Sequence, residues 1–445
     1  MIKTITDDVT KGKKEIGKSN KNRVFKHVRA ILIFPKKRIQ RFLIRAGIVF
    51  TAIIAAIIIL EIGLRVFEKK IYDLSPCQSL DENFHHVMVQ NSICRSKTDE
   101  WDIIYKINGV GLRGDDISSK KPADTFRVLV LGDSFVQGYG VEFENSFPKI
   151  LEKELNSQDF SKKVEVTGAG VLGYSPLLEY LYLKEKGLAF NPDLVILAFN
   201  QTDFWDDRQR FSELKLSYPN LNARKIEELV SKGEAKFDFS KINKSPGNWP
   251  QQKIYLPGIS YQIKTWLSSN LRTYKTIVDF VKKRSMPVQQ DSVNEGDIDR
   301  DILAIERGSK LSDESYSKLW ELPVKHIAMM KSLLDQSKIP FVVMAIPDAM
   351  QVSDQEWPGR KALGFDNHLA DTRPPFEDEL ARRLEDINTP VINLLPGFKA
   401  SNIFPLYFKY DGHWRESGHK LAGEIIVTYL GENTFFRDLF KSKQY

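Results

Sequence analysis

Cysteine is nearly absent from this sequence: Cys77 and Cys94 are the only two in 445 residues. Two thiols cannot build a four-ligand zinc site on their own. Standing in one short stretch, they could form a single disulfide in an oxidising compartment. Histidine is scarce as well, seven in all. The near-neighbour pairs, His85/His86 and His413/His419, carry no cysteine or carboxylate at a usual ligand spacing. No metal and no cofactor is expected. Acidic residues are thin at the N-terminus, where Asp7, Asp8 and Glu15 stand alone among many lysines and arginines up to Arg45. The formal net charge of +7 therefore belongs to a tail rather than to a fold, which argues against nucleic acid as a partner. Charge is missing altogether between Ala46 and Leu60, where Thr51 is the only polar side chain. Internal repeats are missing too.

What is present divides the chain. Residues 1–41 read as a basic cytoplasmic tail and 42–67 as a single membrane-spanning helix. The uncharged run is shorter than the roughly 20 residues a span needs, but Arg45 can extend its head to the lipid headgroups, and the flanks supply the remaining length. A signal peptide fits less well, because the basic lead-in is long and no small-x-small cleavage site precedes Glu61. A core helix fits less well because no polar face is visible. The positive side stays inside, so the chain after the span is expected outside the cytoplasm, anchored in the inner (cell) membrane. There Cys77 and Cys94 would be free to pair. Residues 68–125 are a lead-in with few signals, a strand near Trp101–Ile107 and a turn over Asn108–Gly114.

With 42% hydrophobic residues, the remainder is ample for a large core. From Phe126 strands and helices alternate, the pattern of an α/β fold with a parallel sheet. Strands are predicted at 127–131, 164–167, 194–199, 341–346 and 391–394. Helices are predicted at 147–155, 177–186, 315–336 and 375–384, and the stretch Tyr410–His419 opens a last one that runs to about Leu430. The pattern lapses over 205–314, read as an insertion with helices near 222–236 and 259–283 and a polar loop at 285–299.

Three stretches could carry chemistry. Gly132-Asp133-Ser134 follows a buried strand, so Ser134 stands at the mouth of a sharp turn. Asp411-Gly412-His413 precedes the last helix. In an extended loop, residues two apart point the same way, so Asp411 can fix the tautomer of His413 and leave its other nitrogen as a base. Serine needs such a base. Gly168-Ala-Gly-Val-Leu-Gly173 formally matches a dinucleotide fingerprint. It stands after the second strand, however, and the acidic residue that should end the next strand is instead Asp193, which precedes it. It reads better as a turn that brings a bare N–H to a reacting oxygen. Asn200-Gln-Thr-Asp203 follows strand 194–199, and an amide or hydroxyl there suits a further donor. Asp206 and Asp207, adjacent in sequence, read as solvated or as loop caps.

Together these stretches resemble the SGNH hydrolases, the GDSL esterases, over roughly residues 126–204 and 315–430. The resemblance implies a three-layer α/β/α flavodoxin-like fold within 126–435. It implies Ser134 as nucleophile, His413 as base, Asp411 as its orienter, and the Gly173 N–H in the oxyanion hole. Thr202 stands where the family has its oxyanion asparagine, and Asn200 lies two residues away, so either is a candidate donor. The spacing Asp-x-His, shorter than the family's usual Asp-x-x-His, resembles membrane-associated relatives that acetylate exopolysaccharides. The implied activity is a serine esterase or O-acyltransferase working on an acyl ester, and the expected anchor beside the cell envelope makes a polysaccharide or a lipid-linked glycan the expected substrate. The alternative is a non-catalytic protein of the same fold that binds a glycan or a partner.

Overall fold

The computed structural model describes residues 36–67, 77–242, 313–353, 356, 375–409 and 411–441, apart from 99, 119, 159 and 161. The chain divides into two units. In the first, helix α1 (Lys36–Phe67) holds an apolar segment, Gln40–Ile59, of 20 residues with mean hydropathy 2.6 and nothing buried. It is long and apolar enough to cross a membrane. It starts ahead of the expected residue 42, because lysine, arginine and glutamine are good helix formers and the helix does not stop where the charge begins.

The second unit opens with two antiparallel hairpins, β1 (Gln78–Asp81) with β2 (His85–Met88), and β3 (Ile93–Lys97) with β4 (Asp102–Lys106). There follow β5 (Thr125–Gly132), α2 (Ser134–Gln137), α3 (Phe147–Asn156), β6 (Lys163–Gly170), α4 (Pro176–Glu185), β7 (Leu194–Phe199), α5 (Asp203–Ser217) and α6 (Ala223–Lys232). After them come α7 (Asp313–Gln336), β8 (Phe341–Ala345), α8 (Ala349–Val352), α9 (Phe376–Glu385), β9 (Val391–Asn393), α10 (Leu395–Lys399), α11 (Glu416–Glu432) and α12 (Thr434–Lys441). The sheet runs β6-β5-β7-β8-β9, all parallel. Counted from β5 this is the flavodoxin-like order 2-1-3-4-5. The strands β5, β7 and β8 are buried along their whole length, as a sheet covered on both faces requires. Alternate residues feed two cores. Leu129, Leu131, Val195, Leu197 and Val343 pack with residues of α4, α5, α7 and α9, whereas Val128, Val130, Ile196, Ala198 and Met344 pack with α3, α11 and α12. The unit is thus a three-layer α/β/α domain.

Four expectations change. The strand expected at 164–167 runs on to Gly170, so Gly168 and Gly170 belong to the strand and not to the turn. The reason is packing: a Cβ on Gly170 would lie 2.2 Å from the Gln137 nitrogen and 2.7 Å from the Asp133 oxygen. The stretch read as insertion from 205 opens inside α5, which sends Phe204, Phe211 and Leu214 into the core; Phe204 meets Trp320 of α7 with ring centroids 4.7 Å apart. Asp207 is neither solvated nor a loop cap, because on α5 it turns inward, fully buried. The last element is α12, whose Phe436 and Phe440 are buried, Phe440 against Phe126. The helix expected at 259–283 and the loop at 285–299 lie outside the described residues.

Candidate active site

Three neighbouring strands deliver the site from their carboxyl ends, where open parallel sheets place ligands. Ser134 follows β5 and is the first residue of α2. Asp133 caps that helix, its Oδ1 accepting from the Phe135 N–H at 2.9 Å. Gly173 follows β6 in the turn Val171–Tyr174, closed by the Tyr174 N–H on the Val171 carbonyl at 3.0 Å. The Val171 N–H in turn donates to the Gly132 carbonyl at 3.2 Å, which lays this turn beside the serine turn. Asn200 follows β7.

The fourth contribution comes from the far end of the chain. Ser134 Oγ lies 2.6 Å from His413 Nε2, and His413 Nδ1 is hydrogen-bonded to Asp411 Oδ1. The same Asp411 oxygen accepts the His413 backbone N–H at 2.8 Å, so the carboxylate reaches the ring through a tight turn and not through an extended loop. The imidazole faces the rings of Phe135 and Tyr139, with centroids 5.1 and 4.8 Å away. A carboxylate on Nδ1 puts the proton there and leaves Nε2 as acceptor for the serine hydroxyl. Ser134, His413 and Asp411, 279 residues apart at the widest, are thus brought together.

Asn200 and Thr202 are placed differently from one another. Asn200 Oδ1 accepts from both the N–H and the hydroxyl of Thr202, each at 2.8 Å. That fixes which end of the amide is oxygen. Its Nδ2 donates to Asp133 Oδ2 at 2.9 Å, which leaves one amide hydrogen uncommitted. The single hydroxyl hydrogen of Thr202 is already used. Among the described residues, the N–H groups of Ser134 and Gly173 have no acceptor within the protein.

Carboxyls crowd beneath this turn. Burial pushes the Asp133 carboxyl above the usual carboxylate range, against the hydrogen bonds from Phe135 and Asn200. Asp203, whose Oδ2 accepts the Asn200 N–H at 2.7 Å, is raised further, by burial and then by the charge of Glu179. Asp207 Oδ1 accepts the Leu177 N–H at 2.6 Å at the start of α4, and its Oδ2 meets His326 Nδ1 at 2.6 Å. Both oxygens of Asp207 are thus satisfied, whereas Asp203 Oδ1 and both carboxyl oxygens of Glu179 are buried without a hydrogen-bond partner among the described residues. Among the described residues no group of three His, Cys, Asp or Glu could hold a metal ion.

Sequence reasoning missed the part played by the lead-in. Arg113, buried, donates to the carbonyls of Gln137 and Gly138 from Nη1 and of Val141 from Nη2, closing the end of α2. Tyr105 Oη accepts the Gly140 N–H at 2.9 Å. Gln78 and His86 each donate to the Leu172 carbonyl at 2.8 Å. A disulfide joins Cys77 to Cys94, with Cα atoms 5.9 Å apart. No motif marks these contacts; the paired His85-His86 is the one signal, an unusual doublet in a chain poor in histidine.

No family model and no curated protein matches this sequence. Solved structures do. The chain is similar to the acetyl xylan esterase AlAXEase at 13% identity and TM-score 0.33, over 68% of this chain and 99% of that one. It is similar to a lipase/acylhydrolase from Enterococcus faecalis at 12% identity and TM-score 0.32, over 72% and 100%. A member of the lipolytic protein G-D-S-L family from Veillonella parvula gives 13% identity and TM-score 0.31, over 69% and 100%. The fold these strands make is a three-layer α/β/α domain with the sheet order 2-1-3-4-5. A Gly-Asp-Ser turn follows β5 and an Asp-Gly-His turn stands before α11.

Proposed function

We propose that this chain is a membrane-anchored serine esterase or O-acyltransferase of the SGNH type, working outside the cytoplasm through an acyl-enzyme on Ser134. The observation that carries the reading is the 2.6 Å contact of Ser134 Oγ with His413 Nε2 while Asp411 holds Nδ1. His413 takes the hydroxyl proton as Oγ attacks the ester carbonyl, and Asp411 steadies the imidazolium. The oxyanion is met by the N–H groups of Ser134 and Gly173 and by the free amide hydrogen of Asn200. Collapse of the tetrahedral intermediate breaks the ester C–O bond, and the alcohol leaves with the proton from His413. The acyl group then passes from Ser134 to water, or to a sugar hydroxyl, with His413 again removing the proton.

Helix α1 supports an anchor with the basic residues 1–41 inside, which would hold the site beside the cell envelope in the inner membrane. An acylated envelope polysaccharide suits that location and the short Asp-x-His spacing, and AlAXEase is named an acetyl xylan esterase. The disulfide Cys77–Cys94 suits an oxidising compartment. The test is acetyl release from an activated acetyl ester by the detergent-solubilised full chain, with and without an added sugar acceptor. Ser134→Ala and His413→Ala should each lose at least about a thousandfold in kcat. Acetylated sugar in the product would identify a transferase. Undiminished turnover by Ser134→Ala, or no turnover by folded wild type, would overturn the reading.

A further inference from the structure

Gly173 has φ of +79°, the value of the third residue of a type II turn. Types I and II differ by a flip of the central peptide, here Leu172–Gly173. In a trans amide the C=O and N–H point in opposite directions. Whatever holds the Leu172 oxygen therefore also aims the Gly173 N–H. A glycine at this place tolerates both turn types, so the turn sequence alone does not choose between them.

The Leu172 oxygen is held twice, by Gln78 Nε2 and by His86 Nε2, each at 2.8 Å. Both donors belong to the β1–β2 hairpin, outside the five-stranded sheet. In its register Gln78 pairs with Met88 and Leu80 with His86, which puts Gln78, His86 and Met88 on one face. That face meets both turns of the site, since Met88 Sδ accepts from Gln137 Nε2 at 3.2 Å. The hairpin is tied down by the Tyr174 hydroxyl donating to the His86 carbonyl at 3.0 Å, and by the disulfide at Cys77, next to Gln78.

His86 is itself fixed from behind. A carbonyl oxygen only accepts, so His86 Nε2 carries a proton. Burial keeps the ring neutral, its pKa well below the ordinary histidine value, so Nδ1 accepts. The atom facing it at 2.7 Å, His85 Nδ1, must then donate. His85 Nε2 lies 3.2 Å from Arg210 Nη1 and 3.2 Å from Glu213 Oε2, a pair itself joined at 2.7 Å. All four side chains are buried. The result is a directed chain from α5 through two imidazoles to the back of one peptide.

We propose that Gln78 and His86 are positioning residues for the oxyanion hole, holding the Leu172–Gly173 peptide in the flip state that aims the Gly173 N–H at the substrate oxygen. His85, Arg210 and Glu213 hold the His86 ring in the donating orientation. This rests on the reading of Ser134 as nucleophile. It gives the lead-in a catalytic use: donors fixed before reaction need no reorganisation during it, and an amide whose oxygen accepts two bonds is a better donor at nitrogen.

The experiment compares Gln78→Leu, His86→Leu and His86→Gln with wild type and Ser134→Ala, in the full chain, on an activated acetyl ester. Thermal transitions are recorded alongside. Gln78→Leu and His86→Leu should each lower kcat about tenfold, short of the hundredfold or more for a donor removed outright. KM should stay within about twofold. His86→Gln, whose amide nitrogen can reach Leu172, should recover most of the loss. Unchanged kcat in Gln78→Leu, or a change confined to KM, would overturn the proposal while leaving Ser134 in place as nucleophile. Full activity of Ser134→Ala would overturn both. If His86→Leu does not fold, Gln78→Leu decides alone.

Discussion

Ser134, His413 and Asp411 lie within hydrogen-bonding reach of one another, and in the proposed mechanism each has one task that its neighbours permit. A serine hydroxyl is a poor nucleophile until a base with a fixed tautomer reaches it, and Asp411 fixes that tautomer through a turn that uses one carboxylate oxygen twice. In the proposed mechanism the donor is Asn200 rather than Thr202 on the same terms, since the Thr202 hydroxyl hydrogen is already spent. Asn200→Ala should lower kcat about a hundredfold or more. Thr202→Val, which removes only one of two bonds to Asn200 Oδ1, should cost less than about tenfold. Steady-state kinetics of the two variants on one ester checks this, and the reverse order would contradict it. That Ser134, His413 and Asp411 would be brought together was legible in the sequence, because a serine after a buried strand and an Asp-x-His before a last helix are the residue types such chemistry needs. The donor proposed here was not, because the choice rests on hydrogen bonds between residues 200 and 202. Asp207 was misread for a different reason: adjacency to Asp206 says nothing about which side of a helix each occupies.

At the scale of elements, the site depends on how closely β6 approaches the nucleophile turn. Gly170 pairs in register with Gly132 and lies under α2. Gly170→Ala would press a methyl group against backbone atoms of Asp133 and Gln137, which cannot swing aside. The expected cost is about 3 kcal/mol of stability, with a fall in kcat as α2 shifts. Denaturant unfolding with parallel kinetics measures both, and a variant with wild-type values would contradict the packing argument. The strand–helix alternation from Phe126 was legible because buried parallel strands read as unbroken apolar runs. The end of β6 was not, since glycines signal a turn locally and here serve a close approach. The hairpins were not either: β2 (His85–Met88) and β3 (Ile93–Lys97) are short and of mixed polarity, and their structure comes from partners far along the chain.

The whole molecule joins a basic N-terminus and an apolar helix to an α/β domain whose interior holds several acids. Glu377 illustrates the consequence for stability. Burial pushes its carboxyl up to about 7, against the hydrogen bond from Gln351. Between its unfolded value near 4.5 and about 7 the native state keeps a proton that the unfolded chain has lost. Stability therefore falls as pH rises through that window, by on the order of 3 kcal/mol at most. Glu377→Gln should remove this slope: its thermal transition should gain on wild type as pH is raised from about 4.5 to 7, and parallel curves would contradict the assignment. The most direct measurement of the central claim is labelling of the solubilised full chain by a fluorophosphonate, with the modified peptide located by mass spectrometry. One adduct is expected, on Ser134, absent from Ser134→Ala and much slowed in His413→Ala. An adduct elsewhere, or none on correctly folded wild type, would contradict it.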